Sequence, residues 1–244
     1  MLKAYHDAGI AVANVSYKDV AFLETMMAAG AYKANAREYP FLEKLVSANV
    51  QPVDASLAPF KPYTIVEARA KRLGDRPVRV AFLGLSQEVP PPYKQGDVTV
   101  DFATSKKYAV TSPLEAAKRY VPELRKKADL VVVLAYMPVP EAQKLGQGVN
   151  GIDAIVASNL IPQASPVKEA GEAILTNVYQ QTKYLNELRL YTDPKKPGTL
   201  VNYSLRHVKL DAAIPDDPTA KASHDAAQAE MVKASGGAAP AHKH

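Results

Sequence analysis

Two loops hold the side chains best placed for chemistry: Tyr136-Met137-Pro138 and Ser158-Asn159-Leu160-Ile161. Each follows a run predicted to be a buried strand, and in open α/β sheets ligands gather just past the carboxyl ends of strands. Neither loop contains His, Cys, Asp or Glu. His6, His207 and His224 fall on a predicted helix, a late strand and a tail. His242 and His244 resemble a metal-binding end, but two histidines on a small, polar terminus form no preorganised site. Asp153 opens a predicted strand, and Asp216 and Asp217 suit a turn before Pro218. The order of residues offers no Ser-His-Asp set, no Gly-rich phosphate loop and no zinc spacing. The absence of cysteine removes disulfides, thiol nucleophiles and thiolate metal sites.

The elements that must position these loops are legible from Ser112 onward. Ser112-Pro113-Leu114-Glu115 is a capping box with Pro at the first helical position, followed by apolar residues at helical spacing through Leu124. Asp129 to Ala135 is a β-branched apolar run, as expected of a strand covered on both faces. Pro138 to Gly148 reads as a helix and Gly151 to Val156 as the next strand, completing a βαβ unit. Upstream, Leu2 to Ala8 reads as a helix capped by Gly9, Ile10 to Ala13 as a strand carrying Asn14 on its end, and Ser16 as the cap of a helix through Met27. Leu45 to Asn49 is the next predicted strand. Thr64 to Ala70 and Val78 to Leu85 flank the turn-rich Leu73 to Pro77 as a hairpin. Ser86 to Thr111 is poorly periodic and holds Pro90, Pro91 and Pro92 beside Tyr93, read as an exposed spacer or a stiff contact edge. Ala173 to Val178, Tyr184 to Tyr191 and Leu200 to Leu210 are predicted strands. An Ala-rich helix is expected from Thr219 to Lys233, before a mobile end.

Composition is that of a globular chain: 244 residues, 47% hydrophobic and 23% charged. The net charge of +5 is spread along the chain among 25 acids, which argues against a nucleic-acid surface. No apolar run reaches the roughly 20 residues of a membrane-spanning helix. Met1 to Asn14 lacks the pattern of a signal peptide. One domain over residues 1–214 with a tail over 215–244 is expected.

The chain resembles the metallophosphoesterase domain of the 5′-nucleotidase family, the calcineurin-like dimetal phosphoesterases. Several motifs carry the resemblance: Tyr39-Pro-Phe-Leu, Leu45-Val-Ser-Ala-Asn-Val50, Phe60-Lys-Pro-Tyr63 and Val78 to Leu85 in the first half. In the second half they are Ser112 to Leu134, Gly151-Ile-Asp-Ala-Ile-Val156 and Thr199-Leu-Val-Asn-Tyr-Ser204. It spans roughly residues 2 to 218 and rests on the order and spacing of individually weak motifs. The implied fold is mixed α/β, a four-layer αββα sandwich incomplete at its N-terminus.

The departures from the family pattern bear on activity. Family members hold two metal ions with Asp, His and Asn ligands and generate a hydroxide nucleophile. The Gly-Asn-His-Glu block of the family corresponds to Ala13-Asn14-Val15-Ser16, so Val15 stands at the catalytic histidine. Tyr136 replaces the histidine that ends the Asp129 to Ala135 strand, and Asn159 and Ile161 replace those of the Gly-His-x-His loop. Val and Ile carry no donor atom, and tyrosine is a poor ligand at neutral pH. The resemblance thus implies a degenerate site with no cofactor: a pseudoenzyme acting as a binding or structural subunit. The alternative is a metal-dependent phosphohydrolase completed by another chain. A phosphate or nucleotide sensor would need a basic pocket near Asn14, Tyr136 and Asn159, where Lys18 is the nearest cation in sequence. The family's two earliest strands and its C-terminal domain have no counterpart here. An open apolar side bordering Ile10 to Asn14 is therefore expected, covered by a protein partner or a second copy, with Pro90 to Tyr93 as candidate contacts. The resemblance also implies a periplasmic or extracellular setting.

Overall fold

The computed structural model describes residues 2–69, 76–95, 97–101, 105–158, 168–177, 184–211 and 213–234. Helix α1 (Leu2–Asp7) ends at Gly9, whose φ of 70° is the left-handed cap conformation, and leads into strand β1 (Ala13–Asn14). Helices α2 (Val20–Met27) and α3 (Tyr32–Glu38) and a 3₁₀ turn over Pro40–Lys44 precede β2 (Leu45–Val46) and β3 (Val50–Pro52). Then come β4 (Tyr63–Ala68), β5 (Val78–Ser86), β6 (Tyr93–Gln95), β7 (Val98–Val100) and β8 (Tyr108–Val110). The central unit is α4 (Pro113–Lys127), β9 (Leu130–Tyr136), α5 (Val139–Gly148) and β10 (Ala154–Ala157). The chain closes with β11 (Lys168–Ala170), β12 (Ala173–Asn177), β13 (Tyr184–Asp193), β14 (Lys196–Lys209) and α6 (Pro218–Ala234).

A six-stranded mixed sheet in the order β11-β12-β10-β9-β5-β4 organises the molecule. Its inner strands β5, β9, β10 and β12 are parallel, and β4 and β11 run antiparallel at the two edges. The period-two alternation of β9 decides what packs where. Val131, Val133 and Ala135 face α4 and α5, where Ala117, Val121, Leu124, Ala142 and Leu145 meet them. Val132 and Leu134 face the other way, toward Leu188, Leu190 and Leu200 of the antiparallel β13-β14 hairpin. Helices, sheet and hairpin are thus stacked in order, and each buried Leu or Val contributes on the order of 1.5–3 kcal/mol. A second core lies under α2 and the 3₁₀ turn, around Val15, Leu23, Met27, Phe41 and Phe60.

Half of the capping box forms: Ser112 Oγ accepts from the Glu115 N–H at 3.4 Å and Pro113 occupies the first helical turn, while the Glu115 carboxylate accepts from Lys118 Nζ at 2.9 Å. Other boundaries move for identifiable reasons. The Ile10 to Ala13 strand shrinks to Ala13–Asn14, because β2 offers two residues for pairing and the Ile10 carbonyl accepts from Lys44 Nζ instead. Ser16 does not cap α2. Its N–H and hydroxyl both donate to the Asp19 carboxylate, at 2.8 and 2.7 Å, which makes a turn and delays the helix to Val20. The Leu45 to Asn49 strand breaks after Val46, where Ser47 and Ala48 donate to Lys61 and Gly84. Gly151 has a φ of 93°, so β10 starts at Ala154. The stretch read as a spacer carries the β6-β7 hairpin and β8, which pairs with β3 and buries Tyr108 against Phe60. Part of the Leu73 to Pro77 turn, and residues 235–244 with His242 and His244, lie outside the described residues.

Candidate functional site

β1 and β2 bring Asn14 against the carboxyl end of β5, and the candidate site lies at this junction. Asn14 Nδ2 donates to the Leu85 carbonyl at 2.7 Å, and the Val15 N–H donates to Val46 O at 2.9 Å. The approach is possible because residue 84 is glycine. A Cβ there would stand 2.5 Å from Val46 O and 2.6 Å from Asn14 Oδ1. Val15 is 1% exposed and packs into the second core, so the position matched to the catalytic histidine is a buried apolar anchor.

Next to it, Tyr17 and Tyr136 meet edge to face with ring centroids 5.8 Å apart. Lys18 reaches both, its Nζ 5.8 Å from the Tyr136 centroid and 6.0 Å from that of Tyr17. These distances are at the outer limit of a cation–π contact. Tyr136 raises Lys18 above the ordinary lysine range, against the opposing effect of burial. Burial raises Tyr17 in turn, with Lys18 and a hydrogen bond from Gln87 working the other way.

Beneath this pair lies a polar network that reading the sequence for chemistry missed. Asn49 is fully buried; its Nδ2 donates to the Ser86 and Thr111 carbonyls, both at 2.7 Å, and its Oδ1 accepts from the Ser86 N–H at 2.8 Å. Ser86 Oγ accepts from the Tyr17 N–H at 3.2 Å. The network ties the end of β5 to the loops before β3 and α4. Its only signal in sequence was an Asn closing an apolar run.

A dimetal centre does not fit these residues. Asn14 Oδ1 is a buried acceptor without a hydrogen-bond partner, which is the kind of oxygen a metal could take. It stands alone: Val15 has no donor, and the Lys18 ammonium, 5.8 Å from the Tyr136 ring centroid, opposes a bound cation. Among the described residues no group of three or more His, Cys, Asp or Glu is placed to hold a metal ion. Asn159 and Ile161 lie outside the described residues. Asp153 and Asp129 have structural partners. Asp153 accepts from the Val131 N–H at 2.7 Å and from Arg125 Nη1 at 2.6 Å. Asp129 accepts from Arg76 and from the Arg79 N–H, both at 2.8 Å. His207, exposed on β14, shares a 2.7 Å hydrogen bond with Asn186.

Val89, Pro90 and Pro91 turn over the helix face instead of standing free. With Ser112–Leu114, Met137 and α5 they enclose a cavity of about 520 Å³. Pro92 is exposed, and Tyr93 begins β6. The open apolar side expected beside Ile10 to Asn14 is displaced: Val15 is enclosed by its own chain and Val12 and Leu134 are half-buried. Exposed apolar side chains occur instead on the β13-β14 hairpin, at Leu185, Tyr191, Val201 and Tyr203.

No protein-family profile matches the sequence, and no curated protein matches it. Solved structures do. A 5′-nucleotidase precursor from Thermus thermophilus superposes with a TM-score of 0.67 at 22% identity, over 95% of this chain and 46% of its own. The sulfate thiohydrolase SoxB of Thermus thermophilus gives 0.67 at 16% identity, over 95% and 39%. A putative 5′-nucleotidase from Staphylococcus aureus gives 0.58 at 14%, over 92% and 43%. The chain spans less than half the length of each of these proteins. Its fold is the metallophosphoesterase fold found in 5′-nucleotidases and SoxB.

Proposed function

We propose that this chain is a non-catalytic 5′-nucleotidase-like domain that serves as a binding or structural subunit of a protein assembly. The observation that carries the reading is Val15, 1% exposed in an apolar core, with the Lys18 ammonium 5.8 Å from the Tyr136 ring centroid close by. Dimetal phosphoester hydrolysis relies on cations that polarise the phosphoryl oxygen and activate water. An ammonium beside a tyrosine brings positive charge but has no open coordination position. The domain over residues 1–214 is the structural unit and 215–244 its appendage, with a protein partner or second copy, no nucleic acid and a periplasmic or extracellular setting. Among the described residues no helix is long and apolar enough to cross a membrane. Pro90, Pro91, Pro92 and Tyr93 are proposed partner contacts, with the first two braced on the helix face.

Phosphatase assays on aryl phosphates and nucleoside monophosphates, with and without added divalent metal, test the reading. It requires no turnover above background, and metal-stimulated turnover would overturn it. One observation favours the second reading, a phosphohydrolase completed by another chain: the unpartnered Asn14 Oδ1 at the end of β1. That reading requires a partner polypeptide to restore metal-dependent activity to the mixture.

A further inference from the structure

Below β14, between that strand and the β11-β12 turn, runs a groove of about 430 Å³ lined by Glu169, Glu172, Ile174, Leu200, Val201 and Tyr203. Val201 is 60% exposed and Tyr203 41%. Among the described residues β14 pairs with β13 alone, so its other edge is an unpaired strand standing over this groove. The Tyr203 N–H is met by the side chain of its neighbour Asn202, at 2.8 Å. A long edge strand with exposed apolar side chains is a template for another strand.

We propose that the occupant of this edge is β14 of a second copy, joined antiparallel about a two-fold axis. This rests on the binding-subunit reading above and names its partner. The charges favour a self-match. Lys196 to Lys209 contains Lys196, Arg206 and Lys209 and no acid, and the groove carries two glutamates. Cross-strand register fixes the faces: Leu188 pairs with Leu205 and Leu190 with Tyr203, so Tyr203, Leu205 and Lys209 share the face turned to the six-stranded sheet. A two-fold axis normal to the hairpin keeps every side chain on its own face, so these residues meet residues of the same parity. Centred on Leu205, the pairing sets Lys209 of the second copy beside Val201, within reach of Glu169 and Glu172. Lys209 gives up only a 3.4 Å surface pair with Asp211, worth little. Both edges are covered at once and the assembly closes as a dimer.

Sedimentation velocity and cross-linking on the whole chain test this. The native chain is expected to be a dimer at micromolar concentration. Val201→Lys with Tyr203→Lys is expected to give a folded monomer, and Leu185→Lys, on the opposite face, to leave the dimer intact. Glu169→Lys with Glu172→Lys should weaken dimerisation by about tenfold or more. Because the native chain has no cysteine, Leu205→Cys reports the axis directly, giving an interchain disulfide on oxidation where Leu185→Cys gives none. A native monomer, or a dimer indifferent to the β14 substitutions, overturns the proposal. Either result leaves the phosphatase test of the non-catalytic reading to stand or fall separately.

Discussion

The Lys18 ammonium stands 5.8 Å from the centroid of the Tyr136 ring, at the meeting of the N-terminal segment and the central sheet. Tyr136 arrives from the end of β9 and Lys18 from the turn that follows β1, so the contact also links the central sheet to the N-terminal segment. Tyr136→Phe removes the oxygen and leaves the ring against Tyr17. A double-mutant cycle with Lys18→Met, read by urea unfolding, should give a coupling of roughly 0.5–1 kcal/mol, the range for a partly exposed charged contact. Zero coupling would mean that the contact holds nothing together.

Asn49→Ala should be far more costly. The substitution leaves the Ser86 N–H and the Ser86 and Thr111 carbonyls without their buried partner. We expect a loss of about 2–4 kcal/mol in chemical denaturation. Exposed Asn202→Ala serves as the control and should change stability by less than about 0.5 kcal/mol.

Gly84→Ala tests the close approach of β1, β2 and β5. The added methyl collides with the Val46 carbonyl and the Asn14 side chain, and a loss of about 1–3 kcal/mol is expected. Gly30→Ala, where a Cβ meets open space, should be near neutral. Thermal unfolding of the two variants side by side measures the difference.

Two tyrosines should make the fold sensitive to alkali. Burial, with Glu24 adding to it, pushes Tyr108 up to about 12, and burial with the hydrogen bond to Glu43 does the same for Tyr32. Both lie above the ordinary value near 10, so at intermediate pH the folded chain holds protons that the unfolded chain has lost. Their stabilising contribution is complete below about pH 10 and is lost as pH rises through about 12. Titration by tyrosinate absorbance should show a late fraction ionising near pH 12 together with loss of the fold. Tyr108→Phe should remove part of that late fraction.

The central unit was readable because its signals are local: a capping box, a β-branched run and turn residues fix α4, β9 and α5 within a residue or two. The N-terminal half was less so, because its strands are two or three residues long and exist only through distant partners. β3 depends on β8, and β2 on Asn14 and Lys61. At the candidate site, Asn14 and Tyr136 were legible in the sequence as residues at the ends of strands. What filled the space was not, since Lys18 reaching Tyr136 and Asn49 closing on Ser86 are contacts made by the fold.

Metal content tests the central claim most directly. Protein purified without a His-tag step and analysed by elemental mass spectrometry should carry well under one transition-metal ion per chain, with no phosphatase activity on adding manganese. Two tightly bound ions per chain, or manganese-dependent hydrolysis, would contradict the account.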